Sequence, residues 1–272
     1  MEKSIFYNNL KKKLKKKNAT ICIVGLGYVG LELLRSFEKK KFRIIGVDLD
    51  KNKLSKLKKA KRTKFSSNYK DINFADVVIL ALPTPLNKSF SPDLSYIKAS
   101  LSSMKGYLKK GQLVSLESTT YPGTTEEIIG TFLKKQKFKI SEDFFLAYSP
   151  ERISPELKIK NKKIKYHFNN TPKVYSGYSK NCLDLAKILY KSIVKKVVPA
   201  SSLKVAETTK MIENIFRSIN IALVNELKMF LNKVNIDIHE ALDLANTKPF
   251  GFTRFSPGPG YGGHCIPLDP FY

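Results

Sequence analysis

An imidazole, a thiol and a carboxylate fall within six positions at His264, Cys265 and Asp269, inside Phe255-Ser-Pro-Gly-Pro-Gly-Tyr-Gly-Gly-His-Cys-Ile-Pro-Leu-Asp-Pro270. Four glycines and four prolines in these sixteen residues exclude a regular element, because Gly costs about 1 kcal/mol and Pro about 3 kcal/mol in a helix interior. The stretch is expected to be a loop. Its glycines let backbone approach a ligand closely and its prolines stiffen it, so it is suited to present Cys265 to a substrate as a nucleophile. A surface loop with an unreactive thiol is the alternative, since reactivity needs a lowered thiol pKa.

A second group able to do chemistry lies on a long helical pattern over residues 201–234. At 100° per residue, Glu207, Lys210, Asn214, Ser218 and Asn225 share one narrow sector of a helix that is otherwise largely apolar. Lys210 and Asn214, four apart, project an ammonium and an amide to one point, an arrangement suited to stabilising an alkoxide or oxyanion. A Glu207–Lys210 ion pair on a half-exposed face is the competing reading. The remaining circumference carries Leu203, Ala206, Ile212, Ile215, Phe216, Ile219, Ala222, Leu223, Leu227 and Phe230, so burial on nearly every side is expected.

The positioning elements lie upstream. Residues 20–25, Thr-Ile-Cys-Ile-Val-Gly, read as a buried parallel strand with Cys22 in the core. Gly25-Leu-Gly27-Tyr28-Val29-Gly30 then opens a helix, and a second strand ends at Asp48, 23 positions after Gly25. Strand, glycine turn, helix, strand and acid in one unit form the dinucleotide fingerprint. Gly25 makes the tight turn, Gly27 admits the pyrophosphate, Gly30 packs helix on strand, and Asp48 binds the ribose diol and favours NAD over NADP. Strands and crossover helices keep alternating, with turns at Pro83-Thr84-Pro85, at Ser118-Thr119-Thr-Tyr-Pro-Gly123 and at Ser149-Pro-Glu151-Arg152 on the ligand-binding edge.

The expected fold is therefore α/β. A Rossmann-type, doubly wound, mostly parallel sheet over residues 19–200 is followed by an all-α domain, residues 201–272, built on one long helix. Residues 1–18, with Lys11-Lys-Lys-Leu-Lys-Lys-Lys17, read as a solvated basic arm.

Composition narrows the function classes. The net charge is +26, but only six of 49 basic residues are arginine, and the lysines are scattered rather than gathered on a groove-reading motif, so no nucleic-acid partner is expected. No apolar run approaches the roughly 20 residues that span a bilayer. Cys22, Cys182 and Cys265 are too few and too irregular for a disulfide framework or a structural zinc site. A soluble protein of the reducing cytoplasm, without metal or membrane partner, is the expectation.

Taken together, Gly25-Leu-Gly-Tyr-Val-Gly30, Pro83-Thr-Pro85, Glu117-Ser-Thr-Thr-Tyr-Pro-Gly123, Ser149-Pro-Glu-Arg152, Ala206-Glu-Thr-Thr-Lys-Met-Ile-Glu-Asn214 and Gly262-Gly-His-Cys-Ile-Pro-Leu-Asp269 resemble, in order, the motifs of the nucleotide-sugar 6-dehydrogenases. Within that family they look most like the enzymes acting on UDP-N-acetylglucosamine. The resemblance implies oxidation of a sugar C6 alcohol to the acid with two NAD in turn, for surface polysaccharide precursors. It implies Cys265 as the nucleophile that forms a thiohemiacetal and then a thioester, Lys210 and Asn214 as the oxyanion pair, and Asp269 as the catalytic aspartate. It also implies Thr119 as a water-, substrate- and cofactor-positioning threonine, Glu151 as the glutamate after Ser-Pro, a cofactor site completed by Tyr28, Val29, Pro83 and Thr84, and a homodimer through the long helix.

Three departures qualify it. Pro155 stands where some relatives carry a second glutamate, the chain between Lys51 and Asp76 is shorter than usual, and the family continues beyond Asp269 into a UDP-binding domain whereas this sequence stops at Tyr272. A fragment lacking that domain is expected. Rival readings are an inactive NAD-binding dimerisation module and a β-hydroxyacid dehydrogenase-like single oxidation, which would need no cysteine.

Overall fold

Strand β1, Thr20–Val24, is third in an eight-stranded sheet, its last four residues sealed from solvent. The computed structural model describes residues 4–57, 60–152, 168, 170–262 and 268–272. On one side of β1 lie β2 (Arg43–Val47) and β3 (Thr63–Ser66); on the other, β4 (Val77–Leu80), β5 (Leu113–Leu116), β6 (Phe145–Tyr148), β7 (Lys173–Gly177) and β8 (Val197–Pro199). Pairing is parallel throughout, with Ile21 opposite both Ile44 and Val77, except between β6 and β7, where Ala147 faces Gly177 antiparallel. The expected mostly parallel, doubly wound sheet is present. The strands β4, β5 and β6 are buried at every position, as apolar runs covered on both faces must be.

Alternation along β1 sends Ile21 and Ile23 into one core layer and Cys22 and Val24 into the other. The first layer packs against α2 (Tyr28–Lys39) and α6 (Lys180–Lys191), and the second against α4 (Ser95–Met104) and the segment leading into α5 (Thr131–Lys135). Phe37 and Phe42 are fully buried and meet edge to face at 5.6 Å; truncating either to Ala should cost about 3–5 kcal/mol. Burial pushes the Cys22 thiol well above its ordinary range, in keeping with an inert core residue.

The segment expected as a solvated arm is instead helix α1, Ile5–Lys15, capped by Ser4. Tyr7, Leu10 and Leu14 recur at helical spacing and are buried in the first core layer, while Lys12, Lys13 and Lys15 stay exposed on the other side. The Tyr7 hydroxyl and the Lys11 ammonium, the latter at 2.7 Å, both reach Asp184 of α6. After β2 comes the short helix α3, Lys51–Ser55, capped by Asp50.

By packing, the chain forms two compact units, residues 1–85 with 92–210, and residues 86–91 with 211–272. The break falls within α7, Leu203–Lys233. The second unit adds α8, Ile238–Ala245, and a small core of Val224, Ile238 and Leu242 backed by Leu231 and Phe255. Its loop is held by Asn225, which donates to the Gly260 carbonyl at 3.1 Å and accepts from the Gly258 amide at 2.8 Å.

Burial of α7 on nearly every side does not occur in the single chain. Ile212, Phe216, Ile219, Leu223, Leu227 and Phe230 are all exposed, whereas the polar Glu207, Asn214 and Ser218 are buried. Beyond Glu207 the polar Asn214 and Ser218 are thus buried while an apolar stripe of the same helix is exposed. No helix among the described residues is long and apolar enough to cross a membrane.

Candidate active site

The glycine turn between β1 and α2 shows a division of labour. Gly25 has φ +89°, and a Cβ there would lie 2.3 Å from the Ala81 carbonyl oxygen; at Gly30 a Cβ would lie 1.9 Å from the Gly25 carbonyl oxygen. Both are closed by the fold itself. At Gly27, the N-cap of α2, a Cβ would meet nothing within 4 Å, and no side chain caps the helix. The first amides of a twelve-residue helix therefore face an open approach, the setting in which helix N-termini receive phosphate. Tyr28 is exposed and Val29 half-buried at the same helix start.

Asp48 follows β2 directly and overlooks this turn. Its carboxylate accepts from the Leu26 amide at 2.9 Å, the Asp50 amide at 3.0 Å and the Lys53 ammonium at 2.8 Å. Burial works to raise its pKa, but Lys53 and the two amides outweigh that and hold it below the usual carboxylate range. Asp48 is thus an ionised acceptor beside the glycine turn, where a ribose diol can bind. The open amides that follow Gly27 and the ionised acceptor Asp48 fit what a dinucleotide requires.

The loops that follow β4, β5 and β6 share the same carboxyl edge. Ser118 ties two of them together, its hydroxyl accepting from the Leu82 amide at 3.0 Å and donating to the Leu82 carbonyl at 2.7 Å. This fixes Pro83 and Thr84 next to the strand end that carries half-buried Thr119. Ser118 was not expected in this role, because its hydroxyl reads equally well as a turn residue. Beneath the edge, Lys173 and Glu117 form an ion pair of 2.7 Å with side chains 5% and 0% exposed. Glu151, after β6, is also buried. Burial, reinforced by the Glu151 charge and opposed by Lys173, pushes the Glu117 carboxyl up to about 7.

On α7 the sector residues Glu207, Asn214 and Ser218 are buried and Lys210 and Asn225 half-buried, but the Glu207–Lys210 pair does not form. The Glu207 carboxylate instead accepts from the Gly123 amide at 2.6 Å, the Thr125 amide at 2.8 Å and the Thr125 hydroxyl at 2.6 Å. Burial still pushes its pKa up against these donors. Lys210 is half-buried one turn on, and Asn214, four residues further, is buried. Cys265 and His264 lie outside the described residues, as does the side chain of Asp269, whose backbone opens the short turn Asp269–Phe271. Among the described residues no His, Cys, Asp and Glu group could hold a metal ion.

Residues 19–63 and 58–194 match the UDP-glucose/GDP-mannose dehydrogenase family, NAD binding domain, and residues 204–272 match that family's central domain. Over 273 residues the chain is 38% identical to UDP-N-acetyl-D-glucosamine 6-dehydrogenase of Pseudomonas aeruginosa, covering 94% of this chain and 63% of that protein. It is 39% identical to Protein CapL of Staphylococcus aureus, with 94% and 62% covered. The solved structure of a UDP-D-ManNAc dehydrogenase from Pyrococcus horikoshii superposes with a TM-score of 0.83 at 29% identity, covering 93% of this chain and 63% of that one. The chain therefore spans somewhat under two thirds of the length of these relatives.

Proposed function

The chain belongs to the UDP-glucose/GDP-mannose dehydrogenase family, whose NAD-binding and central domains it carries, and from that premise we propose that it serves the NAD-dependent oxidation of the C6 hydroxyl of a UDP-N-acetylhexosamine to the uronic acid. UDP-N-acetylglucosamine is the first candidate substrate, supported by the 38% identity to the Pseudomonas aeruginosa enzyme, and surface polysaccharide precursors are the corresponding product class. The observation that carries the reading is the open N-terminus of α2 at Gly27 beside ionised Asp48, in the same unit as Lys210.

When bound, NAD takes up the hydride in each of two oxidations. The remaining roles belong to the chain. The amides after Gly27 hold the pyrophosphate, Asp48 accepts from the ribose diol, and Pro83, Thr84 and Thr119 line the cofactor. Lys210 and Asn214 stabilise negative charge on the reacting oxygen. The Cys265 thiolate attacks the aldehyde carbon to give a thiohemiacetal, which the second oxidation converts to a thioester. Water, oriented by Thr119, Glu151 and Asp269, adds to the thioester and expels the thiolate. The exposed stripe from Ile212 to Phe230 supports a homodimer through α7.

The test is to assay this chain, and any longer product of its gene, against UDP-sugars with NAD while counting NADH. Two NADH per sugar are expected from an active form, Cys265→Ser should stop acid formation, and Lys210→Ala should cost about 3–4 kcal/mol of transition-state stabilisation. One NADH per sugar, or normal uronic acid production by Cys265→Ser, would overturn the mechanism.

A further inference from the structure

We propose that Glu207 is a positioning residue that sets the Thr119 loop for the cofactor and, through its place on α7, registers the Lys210 turn with it; this rests on the cofactor reading given above. The loop from Ser118 to Thr125 is held at two ends. At its start the Ser118 hydroxyl is bonded to both backbone groups of Leu82. At its end the Glu207 carboxylate gathers three donors, two of them the amides of Gly123 and Thr125. Thr119 and Thr120 lie between these anchors.

Both carboxylate oxygens are committed, Oε2 to Gly123 and Oε1 to Thr125, and the side chain is fully buried. Charge-assisted bonds of this kind are about twice as strong as neutral ones. The carboxylate also lies where the π-helical turn Thr125–Gly130 begins, the end of a helix that favours negative charge. Gly123 has φ +107°, a conformation that other residues rarely adopt, so the backbone path here depends on glycine. Lys210 follows Glu207 by three residues on the same helix, so one turn of backbone links the loop anchor to the lysine.

Amide exchange and NAD titration on the whole chain test this. In the unmodified chain, NAD should increase protection at Gly123 and Thr125. In Glu207→Gln, one side-chain oxygen is replaced by a donor that faces a donor, so protection there should fall and NAD should bind about tenfold more weakly, about 1.4 kcal/mol, with the thermal midpoint within a few degrees of the parent. Glu127→Gln, at an exposed position on the helical turn that follows the loop, should leave NAD affinity unchanged. If Glu207→Gln does not fold, Thr125→Ala removes one donor only and should show the same pattern to a smaller degree. Loss of protection in either variant with NAD affinity intact would reduce Glu207 to a helix cap and overturn the proposal. So would NAD binding to the parent that leaves protection at Gly123 and Thr125 unaltered. Absence of NAD binding by the parent would instead remove the cofactor reading itself.

Discussion

The ammonium of Lys173 lies 2.7 Å from the carboxylate of Glu117, and both side chains are almost wholly withdrawn from solvent. Removing one partner of such a pair leaves a buried charge, at a cost of about 3–5 kcal/mol, whereas replacing both by apolar groups is often neutral. Glu117→Leu should therefore destabilise strongly, Lys173→Met less so because the Glu117 carboxyl can take up a proton, and the double variant should recover most of the loss. Denaturant unfolding of the four proteins measures this; additive losses would show that the pair is not coupled.

The same pair sets a pH dependence. Burial, with the Glu151 charge added, pushes the Glu117 carboxyl up to about 7 against Lys173 and the Tyr190 hydroxyl, above the roughly 4.3 of an unfolded glutamate. The folded chain therefore binds this proton more tightly, and the resulting stability is complete below about pH 4 and lost as pH rises through about 7. Relative to the Glu117→Leu/Lys173→Met variant, the parent should lose stability between about pH 5 and 7.5. Parallel stability curves for the two would contradict it.

Within the glycine turn, two substitutions of equal size should have opposite consequences. Gly30→Ala drives a methyl into the Gly25 carbonyl and should destabilise the fold by about 1–3 kcal/mol. Gly27→Ala has room and an ordinary φ of −66°, so the thermal midpoint should hold while NAD affinity falls. Calorimetry and thermal unfolding on both variants separate the two roles.

For Asp48, NAD should bind far better than NADP, because an ionised carboxylate repels a 2′-phosphate where it accepts from a ribose diol. Asp48→Ala should narrow the gap from both sides, since it also releases the Lys53 ammonium now held at 2.8 Å. Equal affinities for the two cofactors in the unmodified chain would remove Asp48 from this role.

The apolar stripe of α7 should drive self-association, since contiguous exposed apolar surface marks an interaction site. Sedimentation should find a dimer or larger species, and Ile219→Asp with Leu223→Asp, at positions 61% and 52% exposed, should give a monomer that still binds NAD. A monomeric parent at tens of micromolar would contradict the expectation.

Much of the sheet was legible because its strands are short apolar runs placed between turn residues. The run 20–25 matches β1 to within one residue, and Asp48 was recognised by its distance from Gly25. The lysine run misled at the N-terminus, where a count of charges hid the spacing of Tyr7, Leu10 and Leu14. Strand β3, Thr-Lys-Phe-Ser, lies at the sheet edge with too little apolar character to stand out, and α6 was not anticipated at all. On α7 the angular sector was visible, but the partner of Glu207 was not, because Gly123 and Thr125 lie more than eighty positions away and no local pattern encodes that meeting.

Helix α1 docks on a side chain that is made much later. Its contacts from Tyr7 and Lys11 to Asp184 span 177 and 173 positions, so during synthesis the helix leaves the ribosome with its apolar face bare until α6 has followed. At roughly 5–20 residues per second, that interval is on the order of ten seconds. An eleven-residue helix is marginal alone in water, and closing so long a loop is entropically costly. The seam between α1 and α6 should therefore close among the last steps of folding.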